Sequence, residues 1–218
     1  AHLASLLQPR SGLIMSEGVF SMDGDQAPCQ QLADLAKQSD NWLMLDDAHG
    51  IGVLGEQGRG TLSHQCAAPD SVHIRMATFG KALGVAGAFV GGSRQLTDYL
   101  VNFARDYVYS THMPPAQAHA ISAAVAWVKQ ADAERAHLQA LIRQFKVGIA
   151  ELGLVAGESS TAIQPLIIGD ADKAVSVANK LRERGLWVTA IRPPTVPKGT
   201  ARLRITLTAA HQPSDISL

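Results

Sequence analysis

Three short apolar runs, GLIMSE (12–17), NWLMLDD (41–47) and VHIRMATF (72–79), constrain this chain more than any other feature. Each is short enough for a buried strand, and the first two end in polar residues. Between the first two, QLADLAKQSD (31–40) places Leu32, Leu35 and Ala36 at helical spacing. Strand, helix, strand, long connection, strand is the order of a parallel sheet with helical crossovers, the α/β class. In such sheets ligands gather at the carboxyl ends of the strands. The residues at those ends are Ser16 and Glu17, Asp46 and Asp47, and Thr78 to Lys81.

After GAFVGG the pattern turns helical, over 93–106, over 115–131 with Pro115 near its first turn, and over 134–152. In the last of these Leu138, Leu141, Ile142, Phe145, Ile149 and Leu152 form one stripe, and Gly153 suits the C-terminal cap. From about residue 155 the order becomes strand AIQPLIIG, helix 171–184 ending at Gly185, strand LWVTAI, a Pro-rich loop and strand RLRITLT. This predicts a large α/β domain over 1–150 and a small α+β domain over 151–218. Both ends read as cut. The chain opens inside a helical stretch, His2 to Leu7, and stops at HQPSDISL, where Ser214 or Asp215 caps a helix that barely begins.

Charge excludes some partners. Lys+Arg and Asp+Glu are both 19, and no basic stripe suggests nucleic acid. No polybasic segment or apolar run of the ~18 residues expected for a span suggests a membrane. Cys29 and Cys66 form no metal or redox spacing and fit a reducing, cytoplasmic setting. His64, Cys66 and His73 match no zinc motif and lack a fourth ligand, so no metal is expected.

Chemistry concentrates around ATFGKALG (77–84), where Lys81 stands in a Gly-flanked turn. A lysine that forms an imine must lose its proton cheaply, and an aldehyde traps the neutral amine. Gly80 admits a flat ring, Thr78 offers a hydroxyl, and the turn's N–H groups suit phosphate oxygens. The plainer alternative is a solvated turn lysine. In LDDAHG (45–50), Asp46 closes a strand and can hold a pyridine nitrogen protonated, with His49 three residues on. The alternative is a turn capped by Asp46 or Asp47. In EGVFSMDGD (17–25), Asp23–Gly24 is a turn signal and Ser21 offers a hydroxyl. In RLRITLT, Arg202, Arg204 and Thr206 share one face. A strand arginine can grip a carboxylate with its fork, while one of the two arginines is expected on a solvated face.

Together EGVFSMDGD, DDAHGIGVLGEQGRG, TFGKALG and RPPTVPKGTARLRITLTAAH resemble the α-oxoamine synthases. These are fold-type I enzymes dependent on pyridoxal 5'-phosphate (PLP), which condense an amino acid with an acyl thioester and release CO2. The resemblance implies that fold, PLP as cofactor, and a homodimer with a shared active site. It implies Lys81 as the Schiff-base lysine, Asp46 as the pyridinium partner and His49 on the cofactor's phenolic oxygen. Ser21 and Thr78 match cofactor-contacting residues, the latter at the phosphate. Arg204 matches the arginine for the amino-acid carboxylate, and Thr195 a residue near substrate across the dimer. Tyr109, Ser110 and Thr111 match a loop brought in by the second subunit.

Within the family, TFGK and IRPPTVP most resemble the branch that joins L-alanine to a pimeloyl thioester, carried on CoA or acyl carrier protein. That branch makes 8-amino-7-oxononanoate for biotin. The alternatives are a member using glycine or serine with a different acyl-CoA, or a shortened chain keeping only a dimerisation or carrier-binding surface. The family has a further N-terminal stretch of well over a hundred residues, with a ring-stacking histidine and part of the phosphate cradle. The last helix of the small domain also looks missing. A chain so shortened is expected not to turn over alone.

Overall fold

The apolar runs become neighbouring strands, buried at Ile14 in the first, at Leu43 and Leu45 in the second and at Ala77 in the third. A computed structural model describes residues 2–7 and 12–218; Ala1 and residues 8–11 of the first expected domain lie outside the described residues. The first elements are α1 (His2–Leu6), β1 (Leu13–Glu17), α2 (Cys29–Gln38), β2 (Trp42–Asp46), α3 (Thr61–His64), β3 (Ile74–Thr78) and β4 (Ala88–Gly92). Then come α4 (Arg94–Phe103), α5 (Arg105–Val108), α6 (Pro115–Val128) and α7 (Asp132–Glu151). The chain continues with β5 (Ile163–Gly169), α8 (Ala171–Glu183), β6 (Thr189–Ile191), β7 (Ala201–Thr206) and α9 (Pro213–Ile216).

Two units result, residues 1–19 with 26–132, and residues 20–25 with 133–218. The second of these units resumes at Ala133, one residue into α7. Helix α7 buries Leu138, Leu141 and Ile142, and its Gln144 Nε2 donates to Pro213 O at 2.8 Å in the second unit.

In the first unit the sheet order is β1-β2-β3-β4. The first three strands are parallel, as expected, with Glu17 beside Asp46 and Asp46 beside Met76. Strand β4, in a stretch with no predicted strand, runs antiparallel to β3. One sheet face is closed: Ile14, Leu43 and Leu45 pack with Cys29, Ala33 and Ala36 of α2, and with Leu62 and Val72. Alternation turns Leu13, Met15 and Trp42 to the other face, where Met15 is 66% exposed. The predicted helix 93–106 is split at Ala104, whose extended backbone caps α4 and opens α5.

The second unit holds an antiparallel sheet, β5-β7-β6. Asp170 caps α8 by accepting Lys173 N–H at 2.8 Å, and Gly153, at φ +72°, takes the left-handed position that ends α7. The cap of α9 is Gln212, not Ser214 or Asp215; the Asp215 carboxylate instead accepts Gln212 N–H at 2.7 Å.

Candidate active site

Strand β2 ends in two carboxylates that the pleat sends to opposite faces. Asp46 is half-exposed on the open side, and its Oδ1 accepts Ala48 N–H at 2.9 Å. Its Oδ2 has no hydrogen-bond partner among the described residues. Asp47, 1% exposed, points to the closed side. Its Oδ2 accepts Thr61 N–H at 2.9 Å and its Oδ1 accepts Thr61 Oγ1–H at 2.5 Å. The Arg75 guanidinium lies 3.8 Å away. Burial pushes the Asp47 carboxyl above its ordinary range; the Thr61 bonds and Arg75 pull it back, and neighbouring Asp46 adds to the rise.

The turn after Asp47 carries His49. Gly50 N–H and Ile51 N–H both donate to Asp47 O, each at 3.0 Å. His49 Nε2 lies 2.9 Å from Lys81 Nζ, the direction of donation being set by the imidazole tautomer. Lys81 sits in the β3–β4 connection, closed by Phe79 N–H to Gly87 O at 2.8 Å and Val85 N–H to Phe79 O at 2.9 Å. The turn is not cramped: Lys81 is exposed, and a methyl added at Gly80 would meet only Thr78 Oγ1, at 3.4 Å. Thr78 Oγ1 accepts Gly80 N–H at 3.1 Å and donates to Gly87 O at 3.0 Å. The first unit thus brings Lys81 and His49 together at the carboxyl ends of β2 and β3. Tyr109 is 81% exposed after α5, Ser110 Oγ donates to Asp106 O, and Thr111 is exposed.

In the second unit Arg204 lies on β7 opposite Pro165 and Thr189. Its Nε donates to Ser21 O at 2.7 Å, and burial lowers its pKa. Its terminal nitrogens have no partner among the described residues. Arg202 corrects the expectation of one solvated arginine: it is buried and paired with Asp23, with Met22 O and Thr200 O as further acceptors. Thr195 is exposed, its N–H donating to Arg192 O at 3.1 Å. The Asp47–Thr61–Arg75 group was not foreseen. Adjacent aspartates at a strand end were the available signal, since one of them must face inward.

The set fits a flat, anionic, basic-nitrogen cofactor. An orphan carboxylate oxygen on Asp46 suits a protonated ring nitrogen, and Gly80 leaves room beside the Lys81 amine.

The family model described as aminotransferase class I and II matches residues 1–217. An 8-amino-7-oxononanoate synthase from Aeromonas salmonicida (strain A449) is 66% identical over 210 residues, which is 96% of this chain. The chain spans about half of that relative, 53% of its length. Among solved structures, a serine palmitoyltransferase from S. paucimobilis with a bound PLP–myriocin aldimine superposes with a TM-score of 0.92 at 27% identity, covering 99% of this chain and 55% of that one. An 8-amino-7-oxononanoate synthase from Francisella tularensis gives a TM-score of 0.85 at 30% identity, covering 99% and 62%.

Proposed function

The chain belongs to the aminotransferase class I and II family, and from that premise we propose that the full-length protein catalyses a PLP-dependent acyl transfer. The reaction is the decarboxylative condensation of L-alanine with a pimeloyl thioester, on CoA or acyl carrier protein, to 8-amino-7-oxononanoate and CO2. The observation that carries this reading is the Lys81–His49 pair, 2.9 Å apart at the strand ends beside Asp46. The 66% identity to the Aeromonas salmonicida synthase supports the choice of branch.

When bound, PLP supplies an electron sink for charge developing at the amino-acid α-carbon. Asp46 holds the ring-nitrogen proton through Oδ2, because a carboxylate in place at the strand end favours the charged form. Lys81 would hold the cofactor through its amine and supply the base for the substrate α-proton at Nζ; a base already in place makes such a transfer fast. His49 is within reach of that amine and presents its ring to the phenolic oxygen or to an acyl carbonyl. Thr78 gives its hydroxyl hydrogen to Gly87 O and must turn from it to reach a phosphate oxygen. Arg204, braced through Nε on Ser21 O, keeps its terminal nitrogens for the amino-acid carboxylate. Ser21 contributes its hydroxyl to the cofactor. Thr195 and the Tyr109–Thr111 segment serve the site from across a homodimer, and we take residues 1–150 as the large domain and 151–218 as the small one. No described helix is long and apolar enough to cross a membrane, and we place the reaction in the cytoplasm.

A second reading, a different amino acid and acyl group, draws on the TM-score of 0.92 to the S. paucimobilis enzyme. The deciding experiment supplies the full-length protein with L-alanine, glycine or L-serine, each with pimeloyl-CoA, pimeloyl carrier protein or palmitoyl-CoA. Product from L-alanine and a pimeloyl thioester is expected. Turnover only with serine or glycine would replace the proposal.

A further inference from the structure

We propose that Asp47 is a positioning residue that fastens the 48–60 loop at both ends and so sets the distance between His49 and Lys81. At the near end its backbone starts the turn: Asp47 N–H donates to Met76 O of β3 at 2.8 Å, and Asp47 O accepts Gly50 N–H and Ile51 N–H. At the far end its side chain takes both donors of Thr61. Arg75 of β3 closes the clasp, donating from Nη2 to Arg59 O at 3.2 Å and lying 3.8 Å from Asp47 Oδ2. The loop is also tied across itself, Gly52 N–H to Gly58 O and Gly60 N–H to Leu54 O, each at 2.8 Å.

The fit around the carboxylate is close. A methyl at Gly50 would lie 2.0 Å from Asp47 Oδ1, and one at Gly60 2.0 Å from Oδ2. A carboxylate accepts both donors of Thr61, its N–H on one oxygen and its O–H on the other. An asparagine could accept only one of them, and its NH2 would require the Thr61 hydroxyl to turn and accept. Asp47 cannot exchange roles with Asp46, because it faces the closed side of the sheet with both oxygens engaged. What it controls is the turn between Asp47 and Gly50, and His49 is in that turn.

This inference rests on Lys81 and His49 being working groups, so its test reads their geometry without turnover. In the cofactor-free full-length protein, histidine-selective 15N labelling gives the His49 ring shifts. Lys81→Ala is expected to move them, since the amine lies against Nε2. In Thr61→Val, which keeps shape and loses the hydroxyl, that response is expected to fall at least about twofold, and Thr61→Ser is expected to restore it. With cofactor and substrates, Thr61→Val should lower kcat by about a hundredfold, the scale of a 1 Å misplacement, with the KM for L-alanine little changed. Asp47→Asn repeats the shift measurement should Thr61→Val not fold. An undiminished response in a folded variant would overturn the proposal. So would unfolding of both variants, which would make Asp47 a support of the fold alone. Should the wild type make no product from L-alanine, the proposed reaction falls and the shift measurement still decides the role of Asp47.

Discussion

The Lys81–His49 pair is supplied by two turns built in opposite ways. The turn that carries His49 is packed against a buried carboxylate, with no space for a methyl at Gly50. The turn that carries Lys81 is open: Gly80 has one neighbour at 3.4 Å, and Gly84 has nothing within 4 Å. A histidine that orients needs a fixed frame. A lysine that must leave a cofactor and return needs room for its four-carbon stem. The fold packs the turn of the fixed partner closely and leaves the glycines flanking the moving one open.

The largest expected effect is on the open side. Lys81→Ala in the full-length protein removes both anchor and base, and product formation should fall by several decades. Retention of a tenth of normal turnover would remove Lys81 from the chemistry. On the fixed side, Asp46→Asn should leave cofactor bound but lower kcat by about two to four decades, the scale of a lost proton-holding group. Full activity in that variant would show that Oδ2 of Asp46 serves no ring nitrogen.

Stability sharpens the same comparison. Gly50→Ala forces a methyl onto Asp47 Oδ1 and should cost about 1–3 kcal/mol, the usual range for overpacking. Gly80→Ala meets ordinary contact distance and should stay within about 0.5 kcal/mol. Paired denaturant melts check both, and equal costs would erase the contrast between the turns.

The smallest effect is the pH dependence that Asp47 contributes. Its folded pKa is raised above 3.8, so in that window the folded state keeps a proton that the unfolded state has lost. Stability from this group is therefore greatest at low pH and is lost as pH rises through the raised value. Across that window the melting temperature of wild type should fall as pH rises and that of Asp47→Asn should not, because the variant lacks the titrating group. Parallel curves would mean that Asp47 titrates alike in both states.

Much of this was legible before any coordinates. The three apolar runs sufficed for the parallel strands, since runs that short, with a helical pattern between the first two, suit buried strands joined by crossovers. The position of Asp46, His49 and Lys81 at or just past strand ends was legible, because each closes or follows an apolar run. Strand β4 was not, because AFVGG carries two glycines and pairs only through the antiparallel return from Lys81. The split at Ala104 left no mark on a continuous helical pattern. The Arg202–Asp23 pair joins residues far apart in sequence, so RLRITLT alone does not show that Arg202 is buried. Thr61 gave no signal either, as its role depends on a glycine-rich loop folding back onto β2.

The central claim is that the Lys81 amine is the group that holds the cofactor. Its most direct test is borohydride reduction of the full-length protein saturated with PLP, followed by peptide mapping by mass spectrometry. The reduced pyridoxyl label is expected on the peptide containing Lys81 and is expected to disappear in Lys81→Ala. A label on another lysine, or none on the wild type, would contradict it.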